Sequence, residues 1–529
     1  MSQSKSIKSY TNLVVIAIII IGALGFCIYR FIDTNALLLK VGYYDEKISI
    51  INTADIHGHI MYDDDAGGYY TLDQVNVMMG MPLMKSIIDD LRKNNKNSLL
   101  LDSGDMFHGT NEANVEKAKG VVEEANLMGY DAMTVGNHDF DYGLDRLTEI
   151  SNQLNYPMLS ANIYKDGSPM FPEYNIVTVG SKRIGLFGLT VQDALSYTNS
   201  RDTEGVTVED PIKKAAKIVN ELNGKVDAIV LISHLGDEID RQVVDSVKGI
   251  NLILCGHHHF LYESAVNYKG TFFVEAGGYS THVGLADMYF KNGEVKKVVW
   301  KVIQSTDNSK ANSTMLEVSK KYNKTAMELG KEKVGSAQVA LNGIRSQVRS
   351  EETNLSNLLA DAMRVEGNAD IALMNGGGIR ESIPKGDIDL YKVGKALPFA
   401  NYLVTVEVKG DKIYEALERG IRQYPNSGTN GGFMQVSGIS YTFDASKNAG
   451  NRVVSILKDG VELDKNKYYK VALNDYIYNG GDNYNEFQDS KLIYRGELLK
   501  NVLSKYIKEK GTVNPSVEGR IKVINERYK

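Results

Sequence analysis

The chain has 529 residues, with 60 Lys+Arg against 66 Asp+Glu for a net charge of −6, and is 43% hydrophobic and 24% charged. A single core rarely grows past about 250–300 residues, so two domains are expected, and the composition excludes a disordered or fibrous chain. The small negative charge argues against binding to a nucleic-acid polymer, and two cysteines, Cys27 and Cys255, exclude a disulfide scaffold.

At the amino end, Leu13–Tyr29 is an uncharged apolar run behind Lys5 and Lys8 and ahead of Arg30. Its length and flanks predict a signal-anchor over residues 1–30, a single segment in the membrane, with a cleaved signal as the alternative. The basic leader favours the amino end inside, which puts everything after residue 30 outside the cytoplasm. Residues 31–46 read as a spacer. From there to residue 304, short apolar runs alternate with helical stretches, the pattern of an α/β domain. The runs read as strands are Ile48–Ile51, Ser98–Leu101, Ala132–Val135, Asp227–Ile232, Ile250–Leu254 and Thr271–Val274. A polar break, STDNSKAN, opens a linker over 305–335, in which Met315, Leu316, Val318, Tyr322, Met327 and Leu329 space out a connecting helix. A second α/β domain is expected over 336–529.

Eight of the nine histidines fall within a few residues after the end of a predicted strand. The segments are Asp55-Ile56-His57, Gly104-Asp105, Gly136-Asn137-His138-Asp139-Phe140-Asp141, Ser233-His234 and Gly256-His257-His258-His259. The carboxyl ends of strands form the ligand crevice of α/β folds, so these loops should converge although 200 residues of sequence separate them. Carboxylates, imidazoles and one amide oxygen make a ligand set for Zn²⁺, Mn²⁺ or Fe rather than for Ca²⁺ or bare Mg²⁺. Any one segment is weak evidence. Five in a row are not.

The order DxH, GD, GNHDxD, SH and GHxH resembles the calcineurin-like metallophosphoesterases, and the second half narrows the resemblance to the 5′-nucleotidase family. That family takes in bacterial UDP-sugar hydrolase/5′-nucleotidases and animal ecto-5′-nucleotidases, and the likeness covers roughly residues 47–525. It implies an N-terminal two-sheet metallophosphoesterase domain and a C-terminal α/β nucleotide-binding domain joined by a helix. It also implies two divalent metals, Zn or Mn, bridged by Asp105. Asp55, His57 and His259 would complete one site, and Asn137, His234 and His257 the other. Some family members carry Gln or Asn where His259 stands. Two metals supply an activated water and neutralise phosphoryl oxygens. The family assigns His138 to transition-state or leaving-group stabilisation with Asp141 orienting its ring. His258 is expected to point away, and His59 and His108 to line the pocket.

Two glycine-rich turns, Asn375-Gly376-Gly377-Gly378-Ile379-Arg380 and Tyr478-Asn479-Gly480-Gly481-Asp482, match neither a Walker A loop nor G-x-G-x-x-G and read alone as turns. The resemblance makes Arg380, with Arg345 and Arg349, ligands of phosphate, which the guanidinium fork suits. It makes Phe399 and Tyr476 (Phe in other members) an aromatic clamp for a base, with Asn401 contacting the base and Asp482 taking the ribose hydroxyls. The implied activity is hydrolysis of nucleoside 5′-monophosphates in a cleft that closes by rotation about 313–331. Alternatives on the same site are 2′,3′-cyclic-nucleotide phosphodiesterase and UDP-sugar diphosphatase. A non-catalytic surface nucleotide-binding protein is the alternative from another class, and an intracellular structural protein with a packed amino end is a third. Oligomeric state is not addressed by the sequence.

Overall fold

The structure is a computed structural model. It describes residues 34–61, 78–192, 194–197, 204–399, 401–425 and 430–526. The apolar run Leu13–Tyr29 lies outside the described residues. Among the described residues no helix is long and apolar enough to cross a membrane.

The N-terminal half stacks two six-stranded sheets. Five of their strands carry the site and are labelled here: β1 (Glu46–Thr53), β2 (Ser98–Asp102), β3 (Ala132–Thr134), β4 (Ala228–His234) and β5 (Leu252–Leu254). In the first sheet β1, β2 and β3 run parallel and side by side, with Val283–Lys291 and Glu294–Ile303 added antiparallel beyond β1. In the second, β4 lies between Lys182–Thr190 and β5, parallel to both. Strands covered on both faces read as continuous apolar runs, which is why SLLL and AIVLIS were legible as strands.

Alternation along each strand divides its side chains between two cores. Ile48 and Ile50 of β1 meet Val230 and Ile232 of β4 in the core between the sheets, while Ile51 faces the helices outside. Ile229 and Leu231 turn the opposite way, under Pro211–Leu222 and Asp237–Ser246. The first of these helices is capped by Asp210, whose carboxylate accepts from the N–H of Ile212 and Lys213, and it has Pro211 in its first turn, where no N–H is missed.

The helix expected within 305–335 runs over Ser313–Leu329, capped by the Asn312 side chain. Its buried stripe is Met315, Ser319, Tyr322 and Ala326, and the expected apolar positions Met327 and Leu329 are 48% and 71% exposed. Three of the four belong to the N-terminal core, with Tyr322 lying flat on Gly120, where a Cβ would come 2.6 Å from the ring. The helix is thus built into the N-terminal half, and any rotation between halves has its pivot beyond it.

The C-terminal half is mixed α/β. A five-stranded sheet has the order Met434–Ser437, Ile371–Asn375, Tyr468–Asn474, Tyr402–Lys409, Lys491–Leu498, and a three- and a four-stranded sheet flank it. Asn354–Glu366 and Leu499–Lys510 cover one side of it.

Candidate metal centre

β1, β2, β3, β4 and β5 end at one edge of the paired sheets, and there the chain bends sharply. Asp55, His57, Asp105, His257 and His259 all have positive φ, between 50° and 80°. That region costs a non-glycine residue about 1–2 kcal/mol, and such strain concentrates at functional sites. At Gly136 the reason for glycine is direct: a Cβ would fall 2.1 Å from the Asp105 carboxylate.

The bends gather two clusters. Asp55, His57 and His259 form one, and Asp105, His234 and His257 the other, each with its ligand atoms within 4.8 Å of one another. In the first, His57 Nε2 stands 3.3 Å from His259 Nε2, and His259 Nε2 3.5 Å from Asp55 Oδ1. In the second, His234 Nε2 lies 3.2 Å from both Asp105 Oδ2 and Asn137 Oδ1, and His257 Nδ1 lies 2.9 Å from Asn137 Oδ1. Asp105 Oδ2 is also 3.6 Å from His57 Nε2, so one carboxylate oxygen reaches both groups.

The donor chemistry fits cations. His57 Nδ1 faces the His108 carbonyl at 3.1 Å and His234 Nδ1 the Ser103 carbonyl at 2.7 Å. A carbonyl only accepts, so each ring carries its proton on Nδ1 and aims a lone pair from Nε2 at other acceptors. Burial lowers the His57 ring well below its ordinary value, which keeps it neutral. Burial would lower His234 too, but the Asp105 carboxylate overrides it and pushes the ring up to about 10, so the site calls for positive charge at Nε2. Asp55 Oδ2 is buried with no hydrogen-bond partner. Lone pairs converging without hydrogens between them repel unless a cation sits among them. Asn, His and carboxylate donors in this number suit Zn²⁺ or Mn²⁺.

A third group stands beside these two. Asp141 Oδ2 lies 2.9 Å from Nδ1 of both His138 and His108. The His138 backbone N–H donates to Asp105 Oδ1 at 2.8 Å, which ties this group to the shared carboxylate. Burial lowers the His138 ring, but the neighbouring Asp141 and Asp105 carboxylates outweigh it and the net shift is upward. His108 and His59 are expected to line the pocket; both are buried just behind its lining, His108 stacked on Phe399 and His59 with its Nδ1 on the Ile56 carbonyl. His258 belongs to neither cluster and packs over Gly236.

The C-terminal half closes over the centre. Arg345, Arg349, Arg380, Phe399, Asn401, Tyr476 and Asp482 line the same cavity as His57, Asp105, Asn137, His138, Asp141, His257 and His259, a space of about 1120 Å³. Asp55 and His234 lie buried beneath its floor. Arg345 and Arg349 sit one turn apart at the ends of a short helix, and burial lowers both. Phe399 stacks on His138, ring centroids 4.9 Å apart and planes 17° apart. Asp482 accepts from Asn375 Nδ2 at 3.1 Å, and its own N–H donates to Tyr476 Oη at 2.9 Å.

Sequence reasoning gave no specific role to three residues. Asp139 accepts four backbone N–H groups, from Asp105, Met106, Phe107 and Gly136, at 2.8–3.2 Å, and so shapes the loop that presents Asp105. Burial and the Asp105 charge push its carboxyl up to about 7, against the donors, which favour the anion. His108 shares Asp141 with His138. Tyr279, from the N-terminal half, accepts from both Arg345 and Arg380. Asp139 stood in a motif already noticed, but its four partners come from two loops and no spacing rule reveals them.

Comparison with known proteins agrees with this geometry. Family models for the calcineurin-like phosphoesterase and for the 5′-nucleotidase C-terminal domain match residues 48–261 and 333–489. The trifunctional nucleotide phosphoesterase YfkN of Bacillus subtilis is 31% identical over 93% of this chain, which spans only 36% of that longer protein. The venom 5′-nucleotidase of Gloydius brevicauda is 29% identical over 95% of this chain and 92% of its own. The crystal structure of a 5′-nucleotidase precursor from Thermus thermophilus superposes with a TM-score of 0.79 at 32% identity, covering 91% of this chain and all of the other. The two-half α/β architecture expected from the motifs is the one observed, and the chain belongs to the 5′-nucleotidase family of calcineurin-like metallophosphoesterases, which are metal-dependent phosphoesterases.

Proposed function

We propose that the chain hydrolyses nucleoside 5′-monophosphates to nucleoside and phosphate, outside the cytoplasm. One observation carries the reading: a single cavity holds, on one side, two carboxylate–imidazole clusters and, on the other, three arginines with aromatic rings. Asp55, His57, Asp105 and His259 would hold one cation, and Asp105, Asn137, His234 and His257 a second. When bound, such a pair supplies a nucleophile at neutral pH and neutralises charge on the phosphoryl oxygens.

The protein's own groups do the rest. Arg345, Arg349 and Arg380 bind phosphate oxygens through charge-assisted hydrogen bonds. Phe399 and Tyr476 offer faces for a base, Asn401 an amide for its edge, and Asp482 acceptors for ribose hydroxyls. Asp141 engages Nδ1 of His138, so the proton that His138 gives to the departing ribose oxygen is the one on Nε2. The extracytoplasmic placement is supported by the apolar Leu13–Tyr29 run behind Lys5 and Lys8.

A second reading has its own support. The cavity continues past the clusters to Asp237, Glu238 and His258, leaving room for a group on the far side of the phosphorus. UDP-sugars would use that room, and 2′,3′-cyclic nucleotides would use the same clusters. The test is to incubate the full chain with AMP, 2′,3′-cyclic AMP or UDP-glucose, with and without Mn²⁺ or Zn²⁺, and follow free phosphate, with phosphatase added for the cyclic and sugar arms. Metal-dependent release that is fastest from AMP and is abolished by Asp105→Asn is expected. No release from AMP by a folded, metal-binding protein refutes the nucleotidase reading.

A further inference from the structure

Tyr279 is where the two halves of the cavity meet. Its backbone N–H donates to the Asp55 carbonyl at 2.8 Å, fixing it to the segment that carries Asp55 and His57. Its ring lies against His57 and His259, at centroid distances of 5.5 and 4.7 Å. The hydroxyl reaches across to the C-terminal half, where the oxygen accepts from Arg345 Nη1 at 2.6 Å and from Arg380 Nη2. A phenol oxygen has two lone pairs, and the two arginines use both.

The choice of acceptor matters. Half-buried guanidiniums gain from an oxygen that holds them, and these two, with the buried Arg349 beside them, repel one another. A carboxylate in this position would satisfy them but would cancel the charge that attracts an anion. A phenol satisfies the donors and leaves the charge whole.

We propose that Tyr279 is a positioning residue that sets Arg345 and Arg380 for a phosphoanion through the two hydrogen bonds its oxygen accepts. The assignment rests on the reading of those arginines as phosphate ligands. It also makes the arginine geometry conditional on closure, since donor and acceptor come from different halves.

Tyr279→Phe keeps the ring and its packing and removes only the acceptor. In the full-length protein loaded with Mn²⁺, calorimetric titration with inorganic phosphate should show affinity reduced on the order of tenfold. KM for AMP should rise by a similar factor while kcat stays within about threefold, since the lost contact orients a binding group. Mn²⁺ affinity should not change. Adding Tyr279→Phe to an Arg345→Gln/Arg380→Gln background should cost nothing further, because the phenol acts through those side chains. Phosphate bound as tightly by the variant as by the wild type, or more tightly, overturns the proposal and makes the phenol a placeholder that phosphate displaces. Losses that multiply in the triple variant overturn it too, as does loss of Mn²⁺ binding, which would put the effect in the ring. A wild type that hydrolyses no AMP, but binds phosphate on the order of tenfold more tightly than Tyr279→Phe does, would end the nucleotidase reading while supporting the role of Tyr279.

Discussion

Asp139→Asn should damage the centre more than its distance from any substrate suggests. Asp139 Oδ1 accepts from the N–H groups of Met106 and Phe107, and Oδ2 from those of Asp105 and Gly136. An amide can replace only one of these oxygens by NH₂, so whichever way it turns, two backbone N–H groups lose an acceptor and face a donor. A hydrogen bond to a charged group is worth about 1.5–3 kcal/mol, so the two lost bonds cost about 3–6 kcal/mol. Against a whole-domain stability of about 5–15 kcal/mol that is a large fraction. Thermal unfolding without metal, at about pH 8 so that the wild-type carboxylate is ionised, can be followed by the fluorescence of Trp300. Trp300 is the chain's single tryptophan and is buried in the same half. Tm should fall by roughly 10 °C, taking about 2–4 °C per kcal/mol for a unit of this size. Mn²⁺ affinity should fall about 10–100-fold, the usual consequence of disturbing what holds a ligand in place. A Tm within about 2 °C of wild type, with Mn²⁺ affinity within about threefold, would refute the argument that this carboxylate organises the Asp105 loop.

Two further outcomes follow from the geometry. Burial pushes the Asp240 carboxyl up to about 7, so the folded protein binds a proton there that the unfolded chain releases near 4. Stability from this group is therefore present below about pH 4 and lost as pH rises to about 7, a loss of up to about 4 kcal/mol. Asp240→Asn keeps an oxygen for the Ser233 hydroxyl and should gain stability relative to wild type across that window; a pH-independent difference in Tm sinks the assignment. Phe399→Ala should raise KM for AMP on the order of tenfold, since stacking on a base is worth about 1–3 kcal/mol. An unchanged KM, with kcat altered alone, would mean that Phe399 serves His138, on which it stacks, rather than the base.

The sequence was most legible where physics is local. Buried parallel strands need unbroken apolar runs, so β1, β2, β3, β4 and β5 were found within a few residues of their ends, and the segments that follow them could be read as converging. Strands without such runs were harder. Val283–Lys291 and Glu294–Ile303 complete the first sheet, yet their mixed side chains (VGLADMYFK and EVKKVVWKVI) carry no clean period. The helix at 313–329 was found, but its register was not, because Ser319 and Ala326 are buried by contact with Glu124 and the N-terminal core rather than by their own hydrophobicity. Acceptor roles such as those of Asp139 and Tyr279 stayed hidden for the same reason: a carboxylate or phenol shows its chemistry in sequence but not its partners. His108 is an instance between these, since the two imidazoles that share the Asp141 carboxylate are drawn from two strand-end loops.

The seating of helix Ser313–Leu329 also bears on how such a chain can be divided. The polar stretch before it, STDNSKAN, is a seam in composition only, because Met315, Ser319, Tyr322 and Ala326 beyond it are sealed into the first half. A cut at 304 would strip the cover from Gly120 and the Glu124 carboxyl and leave an oily stripe on the released piece. The first half ends past the helix at Gly330, where the second half is tied on by Tyr391: its N–H donates to the Gly330 carbonyl and its hydroxyl to Glu112. A recombination event, natural or engineered, that exchanges one half of this protein for another therefore keeps both parts intact only if the helix travels with the half that carries the carboxylate–imidazole clusters.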